Sequence, residues 1–417
     1  MPPLPRALVK IAMPDHDRAA PSLDDPTLRL ACLLLFLVGA IVSTFAPHVS
    51  VLAVQRFGLG DAGLAVLMVV SMAISVIASI AIGIRTDQTA NRRQVAVAAA
   101  AVWVAGQALM TFRPGPFPFI LAHGLLFPLA ASLFGQIFAL ARLAASIYPT
   151  DQRDAIMAAV RAVFAAPFVL VLPVWALVFQ AGTDAMVIYP VSLILAGVIL
   201  WLVVAFWPIA GHNAKNDRPS GLSFGSALAE LAHVHVALRV LALGALMAGS
   251  AAYITVIGLL MATTPGRGTA DAALYIGLVA GLEVPLMLGL VPLMRGVPRT
   301  VLILGGAGVY ALHLLFLPML AGGPLVWLLV LPAAIGGSLT LTIPIAYLQD
   351  LLADRPGAGS SLITLQQLGA HVLAAGCFAA GTALSGYAMV LVLAAVVSVG
   401  GPLFLHLADR RRAALIS

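Results

Sequence analysis

The chain has 417 residues, of which 62% are hydrophobic and only 9% are charged, and its formal net charge at pH 7 is +6. Soluble domains carry about 25% charged residues, so this composition excludes an ordinary soluble domain. The basic residues lie mostly between long apolar stretches, where they favour membrane topology over nucleic-acid binding.

Twelve apolar stretches of about 20 residues follow one another along the chain, and each is long enough to cross a hydrocarbon core of roughly 30 Å as a helix. They predict an all-α integral membrane fold with twelve transmembrane helices. The predicted spans are residues 28–53, 62–84, 94–112, 117–141, 155–181, 185–207, 238–261, 272–293, 299–319, 325–347, 359–382 and 386–407.

The domain organisation follows from one long polar interruption, residues 208–237, which we interpret as a cytoplasmic linker. It divides the spans into an N-terminal six-helix bundle, residues 28–207, and a C-terminal six-helix bundle, residues 238–417, which ends in a short basic tail. Residues 1–27 contain several prolines and mixed charge, so we expect a disordered cytoplasmic tail and not a removed signal peptide. Two six-span halves are typical of transporters with a substrate site near the membrane midplane.

The distribution of Lys and Arg predicts the orientation of the chain in the membrane. If the spans alternate and both termini face the cytoplasm, eighteen of the 22 basic residues lie on the cytoplasmic side, in the two tails and the even-numbered connections. Only Arg56, Arg113 and Arg267 lie on the opposite side, and Arg161 lies near the start of a span. The positive-inside rule therefore favours a multi-pass protein of a bacterial inner membrane with both termini cytoplasmic.

No cofactor and no metal site are expected. The two cysteines, Cys32 and Cys377, both lie inside apolar spans, so neither a disulfide framework nor a paired metal motif is present. The chain also lacks an HExxH helix and a glycine-rich phosphate loop followed by Lys and Ser or Thr. A membrane enzyme and an ATP-driven pump are therefore not supported.

The connection between spans two and three reads GIRTDQTANRR, residues 83–93. Asp87 can bond to a neighbouring helix N-terminus, and Arg92 and Arg93 can pair with acids or lipid headgroups. A simple topological anchor also explains these charges. The loop resembles the signature loop of the major facilitator superfamily, which has Gly, three residues, Asp and then a basic cluster, although Gln88 stands where Arg is usual. The resemblance implies a gating role for Asp87, with Arg92 and Arg93 beside it.

Spans four and five contain polar residues with two possible roles. Arg142 is either an interfacial residue or a gate that pairs with Asp350 or Asp354 across the two halves. Arg161, two turns into span five, requires a carboxylate, carbonyl groups or a wet cavity. Gln136 shares one face of span four with Ser132 and is a candidate cavity residue.

Span eleven has one polar face. Ser360, Thr364, Gln367 and His371 are spaced by four, three and four residues, so they lie on one side of a helix. Hydrogen bonds between helices would explain this face, but Gln and His on the same stripe favour a wet cavity that binds hydroxyl groups. His48 in span one is a further candidate for substrate binding, although a lone histidine often makes only structural hydrogen bonds.

Glu283 is the candidate for proton coupling. It lies in the middle of span eight, and no other charged residue occurs from Ala272 to Met294. An acid at the bilayer centre costs ~2.5–3.5 kcal/mol on insertion scales, so a functional role is the default hypothesis. A carboxyl group that is exposed alternately to each side of the membrane can bind and release protons. The structural alternative is a neutral acid bonded to another helix.

Three segments, GQIFALAR (135–142), AGLEVP (280–285) and YLQDLL (347–352), resemble the sugar efflux transporter family within the major facilitator superfamily. The likeness includes AAVRAVFAAPF (158–168) and extends loosely over most of the chain after residue 28. The resemblance implies proton-driven export of sugars or sugar-like compounds from a bacterial cytoplasm.

The leading hypothesis is a monomeric secondary transporter that exports small polar molecules by proton antiport and alternating access. Its expected partners are the substrate, protons and the lipid bilayer, with no nucleic acid. A multidrug or amphipathic-metabolite exporter of the same fold is the first alternative, and a membrane receptor or scaffold without transport is the second.

Overall fold

The computed structural model describes residues 25–89, 91–208, 234–293, 296–351 and 359–416. Twelve helices in this part of the chain are long and apolar enough to cross a membrane. The prediction of an all-α multi-pass membrane protein with twelve spans is therefore confirmed.

The spanning helices are numbered in chain order. They are α1 (Pro26–Phe45), α2 (Gly60–Thr89), α3 (Arg92–Phe112), α4 (Pro116–Ala145), α5 (Thr150–Gln180), α6 (Ile188–Phe206), α7 (Val234–Thr263), α8 (Thr269–Leu293), α9 (Arg299–Leu320), α10 (Val330–Leu351), α11 (Gly359–Leu384) and α12 (Tyr387–Ile416).

Local sequence signals explain where the first span begins and ends. The Asp25 carboxylate accepts the backbone N–H groups of Thr27 and Leu28 at 2.7 and 3.0 Å, and Pro26 occupies the first helical position. This combination satisfies free backbone donors and favours the helix start. The helix ends at Phe45, just before Pro47, so the predicted span 28–53 is too long.

Two other predicted boundaries differ from the structure. The connection over residues 83–93 is mostly helical, because α2 continues to Thr89 and α3 begins at Arg92. The last helix continues to Ile416 and includes the basic stretch that we expected to form a tail. A long helix satisfies its own backbone groups beyond the apolar segment, so hydropathy alone underestimates its length.

The predicted tail and linker lie largely outside the described residues. The structure describes nothing before residue 25 or between residues 208 and 234, and α7 begins at Val234, inside the predicted linker. The division into two bundles with the predicted boundaries stays a prediction. We refer to α1–α6 as the first half and to α7–α12 as the second half, according to chain order alone.

The alternation of twelve spans gives the molecule two faces. Helix α1 begins and α12 ends at one of them, which we call the terminal face. The opposite face, which we call the loop face, carries the connections α1–α2, α3–α4, α5–α6, α7–α8, α9–α10 and α11–α12.

Most packing occurs within each half. Helix α1 packs on α4, α5 and α6, and α7 packs on α11 and α12. The halves meet where α5 packs on α8 and where α2 packs on α11. A third contact joins α7 to Val49–Val51, a single helical turn after α1.

The buried apolar residues form three clusters. One cluster includes Leu34, Trp103 and Ile137 and lies in the first half toward the terminal face. A second, with Leu243 and Leu405, lies in the second half toward the same face. The third cluster lies toward the loop face and contains residues of both halves, listed in part as Val51, Leu64, Met110, Phe119, Leu172, Ile188, Val256, Ile276, Leu317 and Val390. The halves therefore share a core only at the loop face within the described part of the chain.

Candidate functional site

Glu283 lies near the middle of α8, and its side chain packs against α10. A Cβ atom added to Gly337 would overlap the Oε1 atom of Glu283, so the missing side chain at position 337 provides the space for the carboxyl group. The acid is therefore directed toward protein and is only partly exposed. This geometry satisfies one requirement of a coupling residue, which is separation from lipid.

Two other helices of the second half, α7 and α9, place hydroxyl-bearing side chains near this carboxyl group. Tyr253 on α7 and Tyr310 on α9 are both close enough to Glu283 to interact with it electrostatically. Ser250, one turn before Tyr253, lies close to the Tyr310 hydroxyl. The arrangement offers hydroxyl groups around a single acid, which is suited to binding protons, water or the hydroxyl groups of a substrate.

The predicted site residues of the first half differ in burial and in hydrogen bonding. Gln136 is buried on α4, and its Oε1 atom has no hydrogen-bond partner within the described residues. Arg161 is exposed on α5. His48 lies in the shared core at the loop face, where its Nδ1 atom is 2.7 Å from the Thr44 carbonyl oxygen.

The polar face of α11 is described only in part. His371 and Gln367 are partly buried, and the Nδ1 atom of His371 lies 2.9 Å from the Gln367 carbonyl oxygen. The side chain of Thr364 lies outside the described part of the structure. Among the described residues, no hydrogen bond or ion pair joins Glu283 to Gln136, Arg161, Gln367, His371 or His48. One shared cavity for these residues thus stays a prediction.

The predicted gating residues are also described unevenly. The side chains of Asp87 and Asp350 lie outside the described part of the structure, and Arg142 is exposed at the end of α4. Arg92 lies half-buried at the start of α3, and the adjacent Arg93 donates from its NH2 group to the Val204 carbonyl oxygen at 2.8 Å. Arg93 therefore ties α3 to α6 within the first half.

Close contacts at two glycines join the halves at the loop face. A Cβ atom at Gly258 of α7 would overlap the Pro47 carbonyl oxygen and would lie 2.9 Å from a methyl carbon of Val51. A Cβ atom at Gly277 of α8 would lie 3.2 Å from Pro173 and 3.3 Å from Leu172, both on α5. Glycine at these two positions permits the close approach of helices from different halves.

One polar contact also joins the halves at the loop face. The Tyr387 hydroxyl, at the start of α12, donates to the Asp61 carboxylate in the first turn of α2 at 3.0 Å. The terminal face of the second half has its own polar cluster: the Arg239 guanidinium pairs with Asp409 at 2.7 Å and donates to the Tyr347 hydroxyl at 3.0 Å. The Asp61 contact crosses between the halves, whereas the Arg239 cluster lies within one half.

Sequence reasoning did not find the tyrosines around Glu283. Tyr253 and Tyr310 occur in apolar helices, where a single tyrosine is usually part of the core. The available signals were Ser250 three residues before Tyr253, and Tyr310 three residues before His313, since residues at this spacing share one helix face. These signals became informative only in the structure, where α7 and α9 bring their tyrosines close to the acid on α8.

Twelve spanning helices in two sequential halves, with an acid inside the second half and a loop face closed between the halves, define the architecture of a secondary transporter. The family model of the Major Facilitator Superfamily matches residues 31–375. The chain belongs to this superfamily. Its members are transporters and not enzymes, so the prediction that the chain is not an enzyme is confirmed.

A curated relative supports the narrower resemblance noted in the sequence. A Deinococcus radiodurans protein named "Putative sugar efflux transporter" is 25% identical over 375 residues, which are 89% of this chain and 94% of that protein. The predicted likeness to sugar efflux transporters is confirmed at this level of similarity.

Solved structures of transporters share the fold. The nucleoside transporter NupG matches with a TM-score of 0.70 and 12% identity, covering 91% of this chain and 98% of that one. A D-xylose–proton symporter matches with a TM-score of 0.63 and 16% identity, covering 89% of this chain and 96% of that one. At these identities the likeness shows the fold alone.

Proposed function

We propose that this protein exports sugars or similar small polar molecules across a bacterial inner membrane in exchange for protons. The observation that carries the proposal is the position of Glu283, inside the second half, against Gly337 and near the hydroxyl-bearing residues Tyr253 and Tyr310. The similarity to a protein named for sugar efflux supports the substrate class.

Alternating access supplies the mechanism. In the described state the halves share a core only at the loop face. If the termini are cytoplasmic, this state presents the site toward the cytoplasm, where an exporter loads its substrate. Rocking of one half against the other would open the loop face, release the substrate and expose Glu283 to protons from outside.

Proton binding at Glu283 would couple the transport of protons to the transport of substrate. A charged carboxylate is costly to seal in an apolar interior, whereas its protonated form is much less so. We therefore expect Glu283 to take up a proton when the loop face is open and to release it when the terminal face is open. Antiport follows if the substrate and the proton occupy the site alternately.

The test uses purified full-length protein in liposomes with an imposed pH gradient. Radiolabelled glucose and lactose probe the sugar hypothesis, and ethidium probes the multidrug alternative. We expect gradient-dependent sugar flux that Glu283→Gln abolishes, while exchange of labelled for unlabelled sugar without a gradient is retained. Flux of ethidium without sugar flux would favour the multidrug exporter. Absence of flux for all three probes would favour a receptor or scaffold.

A second variant tests the geometry at Glu283. Gly337→Ala places a methyl group at the position of the carboxyl oxygen, so we expect gradient-driven flux to fall by about tenfold, as for an overpacked buried site. Gly376→Ala is the matched control, because a Cβ atom there meets no atom within 4 Å. Equal flux in both variants would show that the position of the carboxyl group is not important.

A further inference from the structure

A cluster of aromatic rings lies between Glu283 and the loop face. The rings of Tyr253 and His313 are 5.2 Å apart between centroids, and those of Tyr310 and His313 are 5.4 Å apart. Tyr275 stacks on His313 at 5.9 Å, and its hydroxyl lies 3.2 Å from the His313 Nδ1 atom. These four residues form what we call the tyrosine–histidine cluster.

The cluster extends along the membrane normal. Helix α8 starts at the loop face, so Tyr275 lies eight residues, or about 12 Å of helix, closer to that face than Glu283. Beyond Tyr275, Trp327 in the helical turn Pro324–Leu329 lies 6.0 Å away between ring centroids, and the Arg267 guanidinium lies over Trp327. At its other end, Tyr310 and Glu283 pack against adjacent residues of α10: a Cβ atom at Gly336 would lie 2.6 Å from the Tyr310 backbone nitrogen, and one at Gly337 would overlap the Oε1 atom of Glu283. The cluster therefore extends from the neighbourhood of the acid toward the loop face.

Two polar atoms in the cluster have unused hydrogen-bonding capacity. The Tyr253 side chain is 2% exposed, and its hydroxyl has no hydrogen-bond partner within the described residues. The Nε2 atom of His313 also makes no hydrogen bond of good geometry there, although the Leu329 backbone interacts with the ring. A buried polar group without a partner is destabilising, so its retention requires an explanation.

The same rings belong to the core that closes the loop face. Tyr253, Tyr275 and Tyr310 lie in the apolar cluster shared by the two halves, together with first-half residues such as Leu172. Opening of the loop face would disrupt this core and admit water to the hydroxyl groups. Closure buries them again, as the 0% exposure of Tyr275 and His313 indicates.

We propose that the tyrosine–histidine cluster is a gated proton relay between the loop face and Glu283. When the loop face opens, water bonds to the Tyr253 hydroxyl and to His313. A hydronium ion gives its proton to one ring nitrogen of His313, the other ring nitrogen gives up its proton to water at Tyr253, and that proton passes to the Glu283 carboxylate. Closure of the loop face interrupts the relay and prevents a leak. This inference rests on the proposed proton antiport.

Tyr253→Phe tests the relay, because it removes only the unpartnered hydroxyl. Net flux of labelled glucose and lactose driven by a pH gradient is measured in liposomes with pyranine inside to follow protons, and sugar exchange at equal pH is measured separately. We expect net sugar and proton flux to fall at least about fivefold, with exchange within about twofold of wild type. His313→Gln should behave in the same way.

Tyr189→Phe is the matched control. The Tyr189 hydroxyl lies 2.9 Å from the His123 Nε2 atom, so this pair resembles the Tyr275–His313 pair, but both of its members belong to the first half, whereas Glu283 belongs to the second. We expect Tyr189→Phe to retain the wild-type ratio of net flux to exchange.

Several outcomes would overturn the relay. One is unchanged net flux in Tyr253→Phe, and another is an equal fall of net flux and exchange in the folded variant. A lower unfolding temperature of Tyr253→Phe would also reject it, because a hydroxyl without a partner should contribute no stabilising bond. If the wild-type protein shows no gradient-driven sugar flux, the antiport proposal fails instead, and the two failures are thereby distinguished.

Discussion

The loop face and the terminal face contain the same types of apolar residue. The two halves share one core at the loop face, but each half has its own core toward the terminal face. At the loop face, Leu172 of the first half and Ile276 of the second half belong to one core. Toward the terminal face, Trp103 and Leu243 belong to separate cores, one in each half. The difference indicates that each half is held together internally near the terminal face, while contact between the halves is concentrated at the loop face.

This difference has an energetic consequence. Opening the loop face would expose part of the shared core to water, at about 25 cal/mol for each Å² of apolar surface. A transporter that alternates between two states needs them to differ by only a few kcal/mol. Single contacts at the loop face should therefore change the populations of the two states measurably.

Locking the loop face should have the largest effect. The variant carries Asp61→Cys and Tyr387→Cys, with Cys32→Ala and Cys377→Ala to remove the native thiols. A short bismaleimide should join the two halves and reduce transport to the background level, because the loop face can no longer open. Flux into liposomes before and after cross-linking measures the effect, with each single-cysteine variant as control. Undiminished transport by the cross-linked protein would contradict a moving loop face.

Forcing the halves apart should have the next largest effect. Gly258→Ala places a methyl group against the Pro47 carbonyl oxygen, and overpacking of this kind costs about 1–3 kcal/mol. We expect the population closed at the loop face to fall by about tenfold or more, since each ~1.4 kcal/mol corresponds to a factor of ten. A cysteine at position 172, introduced as Leu172→Cys, should then react faster with a membrane-impermeant maleimide. Gly376→Ala should leave its labelling rate unchanged, and equal rates in both variants would refute the predicted contact.

Removing the polar contact between the halves should have the smallest effect. Tyr387→Phe deletes the hydroxyl that donates to Asp61, and a single hydrogen bond contributes about 0.5–1.5 kcal/mol. We expect labelling of the same cysteine to increase by about two- to tenfold. Asp61→Asn retains an acceptor oxygen and should change labelling less. A larger effect of Asp61→Asn than of Tyr387→Phe would mean that the carboxylate acts through some other contact.

The sequence predicted correctly what depends on local composition. Twelve apolar stretches fix twelve helices, because an unsatisfied backbone group is too costly in lipid for any other open structure. The isolated acid at position 283 could also be identified from the sequence, because a charged side chain is rare and costly in an apolar span. The ends of helices that depend on backbone geometry were less evident from the sequence. The prediction missed the end of α1 before Pro47.

Only the tertiary structure decided which residues surround that acid. Tyr253, Tyr310 and Gly337 lie on three different helices and are separated from Glu283 by 27 to 54 residues of chain. Apolar packing between helices is not directional, so periodicity shows which face of a helix is polar but not which helix it meets. The closure of the loop face likewise depends on glycines at positions 258 and 277, whose importance lies in the Pro47 backbone that approaches Gly258 and the Leu172 and Pro173 side chains that approach Gly277.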